Sequence, residues 1–224
     1  MGQMIAFKRP DGKECRGYLA SATQGNPGSP SVVMLQEWWG LNAQMQGLAD
    51  RMAAAGFNTL VPDLYHGTLA KDADEASHLM NTLDFPQAAQ QDIKGAVTYL
   101  KSLGGKVGVM GYCMGGALTI AASVHVADVS AAVCLYGMSP KEFADPVNIK
   151  IPFQGHFANI DDWCTPAAVN DMEASMNAVG LKPEIYRYDA QHAFCNEKRP
   201  EVYNAACATQ AWDRTVAFWK KHLA

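Results

Sequence analysis

The chain has 224 residues, of which 49% are hydrophobic and 18% charged, and its formal net charge is −4. This composition predicts one globular domain, residues 1–224, with a large hydrophobic core. Without a basic cluster, it argues against nucleic acid or an anionic membrane surface as a partner.

Targeting and metal-binding patterns are also absent from the sequence. No apolar run reaches the roughly 18 residues of a membrane-spanning helix, and the first residues do not read as a secretory leader. The six cysteines have no zinc-finger spacing. We therefore predict a soluble cytoplasmic protein with reduced thiols and no metal site.

Predicted strands and helices alternate along most of the chain. Two segments, 4–8 and 15–20, flank a turn and predict an N-terminal β-hairpin, followed by a loop at 21–30. Short apolar runs predict strands at 31–35, 57–61, 106–110, 129–136, 149–156 and 183–188. Helices are predicted at 43–55, 69–83, 84–103, 117–122, 166–179 and 205–222. This order predicts an α/β fold, with a mostly parallel twisted sheet and helices on both faces.

A Gly-x-Cys-x-Gly motif, GYCMG at residues 111–115, lies between a predicted strand and a predicted helix. Such a turn raises its central side chain above the edge of the sheet, over a helix N-terminus that favours a thiolate or an oxyanion. Cys113 is therefore the predicted nucleophile; a buried structural cysteine is the alternative. The backbone N–H groups of Met114 and Trp38 are the predicted donors of an oxyanion hole.

A cysteine nucleophile needs a base and a group that orients the base. His192 follows the strand predicted at 183–188, and the order nucleophile, acid, histidine is that of α/β-hydrolases. The loop after the strand predicted at 149–156 contains Asp161 and Asp162, either of which could fix the tautomer of His192. We favour Asp162 and keep Asp161 as the alternative.

Glu37 follows the strand at 31–35 and lies beside two tryptophans. A carboxylate packed against apolar rings near a thiol would have a perturbed pKa and a catalytic use, whereas a solvated loop carboxylate is the alternative. Ligands of open parallel sheets bind beyond the carboxyl ends of the strands, where Glu37, Cys113 and His192 are all predicted.

Four segments together resemble the dienelactone hydrolase family: QEWWG at 36–40, PDLY at 62–65, GYCMGG at 111–116 and HAF at 192–194. The resemblance extends over nearly the whole chain. It implies a single-domain α/β-hydrolase fold, a monomer, a Cys-His-Asp triad and no cofactor. It also implies an enol-lactone or a related small ester as substrate.

The resemblance further assigns roles to single residues. The family's acid lies four residues before a proline, which here selects Asp162. The family's glutamate, which takes the thiol proton when substrate arrives, corresponds to Glu37. Two arginines that hold the substrate carboxylate in the family are replaced here, one by the His66-Gly67 segment and one by Asn196.

From these replacements we predict a site that prefers neutral esters. The residues predicted to contact the substrate are Trp39, Tyr65 and Asn196, with Trp38 also lining the pocket. Arg199 and Lys198 lie a few residues beyond Asn196 and are kept as alternative cations. Two other functions remain open on the same fold: a non-catalytic or redox-sensing thiol protein, and a thiol peptidase or amidase.

Overall fold

The computed structural model describes residues 1–22 and 28–223, so part of the loop predicted at 21–30 lies outside the described residues. The strands are β1 (Gln3–Lys8), β2 (Glu14–Ala20), β3 (Ser31–Leu35), β4 (Asn58–Pro62), β5 (Val107–Tyr112), β6 (Ala131–Leu135), β7 (Phe153–Ile160) and β8 (Glu184–Gln191). Within the described residues they form one eight-stranded sheet in the order β1-β2-β4-β3-β5-β6-β7-β8. β1 and β2 pair with their neighbours in antiparallel fashion, whereas β3 to β8 pair in parallel. The predicted fold class is confirmed.

Helices cover both faces of this sheet. They are α1 (Ala43–Ala54), α2 (Ala73–Thr82), α3 (Phe85–Gln87), α4 (Lys94–Ser102), α5 (Met114–His125), α6 (Pro166–Ala178) and α7 (Ala205–His222). Apolar side chains of α1 and α7 pack in one core layer, and those of α4, α5 and α6 pack in the other. None of the helices in the described ranges combines the length and the apolar character that crossing a bilayer requires.

The central strands are apolar because they are covered on both sides. Every residue of β3, β5 and β6 is buried. Gly108 in β5 leaves space for the indole of Trp219 from α7: a Cβ at this glycine would lie 2.7 Å from that ring. The long closing helix therefore packs directly against the middle of the sheet.

Several elements differ from the predicted bounds. Helix α2 begins at Ala73 and not at 69, because the Asp72 side chain accepts a 2.9 Å hydrogen bond from the N–H of Glu75 and caps the helix there. The helix predicted at 84–103 contains a π-helical segment, Ala88–Ile93, between α3 and α4. Strand β7 lies four residues later than predicted: after a 3₁₀ turn at Pro146–Asn148, residues 149–152 are outside helix and strand, and pairing begins at Phe153.

Candidate active site

The turn between β5 and α5 has a strained backbone, as is typical of a nucleophile turn between a strand and a helix. Cys113 has φ 56° and ψ −115°, a conformation that residues with a side chain rarely adopt. Its N–H donates a 3.0 Å hydrogen bond to the carbonyl of Leu135, which anchors the turn to β6. A Cβ at Gly111 would collide with the carbonyl of Gly115, so both backbones can approach only because this residue is glycine. The hydrogen bond to Leu135 and the close backbone packing at Gly111 therefore hold the strained turn, and with it the thiol, at the end of the sheet.

His192 lies between the thiol and a carboxylate. Its Nε2 is 3.1 Å from the Sγ of Cys113, and its Nδ1 donates a 2.8 Å hydrogen bond to Oδ2 of Asp161. The structure thus brings together two of the predicted residues, Cys113 and His192, although 79 positions separate them.

The preference for Asp162 as the residue that orients His192 is wrong, because the structure places the alternative, Asp161, in this position. Strand β7 extends to Ile160, so Asp161 is the first residue after the strand and points into the site, whereas Asp162 is exposed. Oδ1 of Asp161 accepts hydrogen bonds from the N–H groups of Trp163 (2.8 Å) and Cys164 (2.9 Å).

The charges of this pair stabilise each other. Burial alone would raise the pKa of Asp161, but the hydrogen bond and charge of His192, with the two backbone N–H groups, hold it below its ordinary value. Burial alone would lower the pKa of His192, but its contacts with Asp161 and Cys113 raise that pKa to about 10. The carboxylate of Asp161 thus favours the protonated, imidazolium form of His192.

Glu37 is buried at 4% exposure in the same region. Its Oε1 accepts a 3.3 Å hydrogen bond from the hydroxyl of Tyr136, and its Oε2 accepts one of 2.6 Å from Nδ2 of Asn196. Burial raises the pKa of Glu37, and the bonds from Asn196 and Tyr136, with the charge of His192, reduce that rise. The pKa of Glu37 is perturbed, as the sequence predicts. Its hydrogen bonds, however, go to Tyr136 and Asn196 and not to the Cys113 thiol.

Sequence reasoning missed Tyr136. Its ring packs edge-on against His192 with centroids 5.2 Å apart, and its hydroxyl holds Glu37. The signal available in the sequence was its position at the end of the strand predicted at 129–136, where the carboxyl ends of parallel strands meet near Cys113.

The two predicted oxyanion donors come from different elements near the thiol. Met114 is the first residue of α5, where an N–H has no partner within the helix. Trp38 lies in the loop after β3 and lines a cavity beside Cys113.

Two cavities meet at Cys113 and share four lining residues: Met80, Cys113, Trp163 and His192. The larger, of about 460 Å³, is mostly apolar, with side chains such as Phe85, Met138 and Phe143. The smaller, of about 200 Å³, is lined additionally by Glu37, Trp38, Trp39, Ala193 and Arg199. The thiol thus lies between an almost wholly apolar cavity and a second cavity that also contains the ionisable side chains of Glu37 and Arg199.

The predicted substrate contacts divide between three places. Trp39 lines the smaller cavity. Tyr65 instead lines a third cavity with His66 and Asp92, and its hydroxyl lies 3.2 Å from the sulfur of Met114. Asn196 is 1% exposed and bonds to Glu37, so it is not among the lining residues of either cavity at Cys113.

The sequence model of the dienelactone hydrolase family matches residues 15–223. The chain belongs to the dienelactone hydrolase family. This membership confirms the predicted resemblance, and with it the prediction of a dienelactone hydrolase-like carboxylic ester hydrolase.

Individual relatives match the chain over its full length. The chain is 35% identical over 235 residues to "Protein usf" of Aquifex pyrophilus, covering 100% of both chains. It is 30% identical over 235 residues to the "Putative carboxymethylenebutenolidase" of Aquifex aeolicus strain VF5, again covering 100% of both. Among solved structures, the dienelactone hydrolase-like promiscuous phosphotriesterase P91 from metagenomic libraries superposes with a TM-score of 0.87. That match covers 100% of this chain and 99% of the other at 19% identity, which shows a shared fold.

Proposed function

We propose that this family member hydrolyses small carboxylic esters or lactones through a thioester acyl-enzyme on Cys113. The observation that supports this most directly is the position of His192, 3.1 Å from the thiol sulfur and 2.8 Å from the carboxylate of Asp161. A nucleophile, a base and a group that orients the base are the parts that acyl transfer requires.

In the proposed acylation, the Cys113 sulfur attacks the carbonyl carbon while His192 holds the former thiol proton. The carbonyl electron pair moves onto oxygen, where the N–H groups of Met114 and Trp38 would donate to it. When this intermediate collapses, the bond to the leaving oxygen breaks and His192 Nε2 gives that oxygen its proton.

Deacylation repeats these steps with water as the nucleophile. His192, now neutral, takes a proton from water as the water oxygen attacks the thioester carbonyl. The C–S bond breaks, the carboxylic acid leaves, and the thiolate-imidazolium pair is restored. Asp161 stabilises the imidazolium in both halves of the reaction without taking its proton.

Glu37 is proposed to take part in proton transfer during this cycle. Because its pKa is raised by burial, it is able to hold a proton in the same cavity as the thiol. We propose, as the resemblance implies, that Glu37 takes the Cys113 thiol proton as substrate arrives where His192 is already protonated, so that the same imidazolium still protonates the leaving oxygen. Tyr136 and Asn196 then position the carboxyl group.

The two cavities indicate a substrate with two unlike ends. The larger, apolar cavity suits an alkyl or aryl group, because little polar surface there would be desolvated. The smaller cavity contains Arg199, whose Nε donates a 2.8 Å hydrogen bond to exposed Glu201. We therefore propose that the site also accepts an ester with a carboxylate in the smaller cavity, because Arg199 would pair with that carboxylate there.

Rapid-quench mass spectrometry with a p-nitrophenyl ester tests the proposal. We expect a burst of p-nitrophenol and one acyl adduct on Cys113, with no adduct and no turnover in Cys113→Ala. Cys207→Ala, a matched change of a partly exposed cysteine at the start of α7, should keep both. Full turnover in Cys113→Ala, with unchanged circular dichroism, would contradict the proposed nucleophile. Thiol oxidation by peroxide without ester turnover would instead support the redox-sensing alternative.

A further inference from the structure

A second cluster of reactive side chains lies outside the candidate active site. It consists of Cys15 in β2, His66 in the turn after β4, and Asp92 in the π-helical segment. One atom of each side chain, a sulfur, a ring nitrogen and a carboxylate oxygen, lies within 4.8 Å of the other two. Cys15 and Asp92 are buried at 1% and 2% exposure, whereas His66 is exposed.

We propose that Cys15, His66 and Asp92 form a binding site for Zn²⁺. Thiolate sulfur, imidazole nitrogen and carboxylate oxygen are the three ligand types that zinc takes in proteins. Zinc bonds of about 2.0–2.3 Å in a tetrahedron place the ligand atoms roughly 3.3–3.8 Å apart. Nε2 of His66 and Oδ2 of Asp92 are separated by 3.6 Å, which is too long for a hydrogen bond and within this interval.

The carboxylate of Asp92 already has the outer support that metal ligands usually have. Nη1 of Arg9 lies 3.1 Å from Oδ1 of Asp92, which leaves Oδ2 directed to His66. A hydrogen bond to the second oxygen of a ligating carboxylate is a common outer-shell arrangement. Arg9 itself is compensated, because Asp11 accepts hydrogen bonds from its Nε (3.2 Å) and Nη2 (2.7 Å).

The charges of the cluster also favour a divalent cation. Arg9 and Asp11 cancel, so the metal would face Asp92 and the thiolate of Cys15, which together balance its two positive charges. Binding must release the thiol proton of Cys15 to solvent, because only the thiolate is a zinc ligand. The thiol lies 3.3 Å from the carbonyl of Arg16 and 3.8 Å from that of Asp63, and it also hydrogen-bonds to the carboxylate of Asp92, so the metal would replace a proton shared by two of its ligands.

The site is open on one side. His66 and Asp92 line the third cavity, of about 270 Å³, which leaves a fourth coordination position accessible from solvent. Three protein ligands with one open position are typical of zinc sites that bind water or a small molecule. No sequence pattern predicts this site, because its ligands come from positions 15, 66 and 92 and form no short motif.

The experiment uses the full chain in the reduced, chelator-treated form, with Co²⁺ as a spectroscopic probe and Zn²⁺ as competitor. Asp161, Cys164 and His192 form a second group of possible ligands at the candidate active site. All proteins therefore carry Cys113→Ala and Cys164→Ala, which remove both thiols there. We expect one Co²⁺ per chain, a thiolate-to-cobalt charge-transfer band, and displacement by one equivalent of Zn²⁺.

Single ligand changes in this background decide the assignment. Cys15→Ser should abolish the charge-transfer band, and His66→Ala should weaken Co²⁺ binding at least about tenfold. His78→Ala changes an exposed histidine on α2 and should have no effect. Asp92 is left intact, because its loss would remove the partner of Nη1 of the buried Arg9. Failure to take up stoichiometric Co²⁺ would overturn the proposal. So would a band that survives Cys15→Ser, or an affinity that His66→Ala does not change. This experiment measures metal binding and not ester turnover. Its outcome is therefore independent of whether Cys113 is the nucleophile.

Discussion

Nδ2 of Asn196 donates a 2.6 Å hydrogen bond to Oε2 of Glu37, joining the loop after β8 to the loop after β3 inside the core of the site. A buried carboxylate without such a donor is more costly to ionise. The residue expected to contact substrate thus holds a carboxyl group of the candidate active site.

Asn196→Ala should therefore raise the pKa of Glu37 further and lower the free energy of unfolding by about 1–3 kcal/mol. The pKa of Glu37 is already raised on folding, so its ionisation opposes folding above that pKa. The loss of stability should accordingly be larger at about pH 8 than at about pH 4. Urea unfolding of both proteins at the two pH values measures this, with Asn81→Ala on exposed α2 as control. Equal losses at both values would show that Asn196 does not affect the ionisation of Glu37.

Replacing the two neighbouring aspartates tests which of them orients His192. Asp161→Asn should leave His192 in the wrong tautomer and lower kcat by about three to four orders of magnitude. Asp162→Asn changes an exposed side chain of the same type and should stay within a few-fold of wild type. Steady-state ester hydrolysis measures both, and the reverse ranking would restore Asp162 as the partner.

The ionisation of His192 should appear in the pH dependence of stability. Its pKa is raised to about 10 in the folded protein, above the ordinary value near 6.5. The resulting stabilisation is complete below about pH 6.5 and is lost as the pH rises to about 10. The difference in unfolding free energy between wild type and His192→Gln should therefore shrink over this interval, as measured by urea unfolding. A difference that stays constant or grows with pH would mean that the imidazolium is not stabilised by folding.

The charge of Arg199 should determine how well the site accepts anionic substrates. A charged hydrogen bond is worth roughly 1.5–3 kcal/mol, so Arg199→Ala should lower kcat/KM for a carboxylate-bearing ester about 10- to 100-fold. The value for a neutral ester of the same size should change little. Lys198→Ala removes a neighbouring cation that is not among the cavity-lining residues and serves as the matched control. If the wild type prefers the neutral ester and Arg199→Ala leaves that ratio unchanged, the expectation from the sequence holds.

Local sequence patterns determined the fold and two members of the candidate triad. The short apolar runs and their separating helical segments predict the parallel sheet because each pattern reflects burial on one or both faces. The Gly-x-Cys-x-Gly turn at 111–115 was predictable because its glycines and its position between a strand and a helix are local features of the sequence. His192 was predictable from its position after a strand and from its order in the chain.

The tertiary structure decided which groups touch. Asp161 and Asp162 are adjacent, and only the true end of β7 shows which of them points to His192. Loops that follow different strands meet at one edge of the sheet, and this brings Tyr136, Asn196 and Arg199 into the site. The cluster of Cys15, His66 and Asp92 arises in the same way. Local patterns record how each segment is buried, whereas contacts between side chains of distant segments depend on strand register and loop path, which only the folded chain fixes.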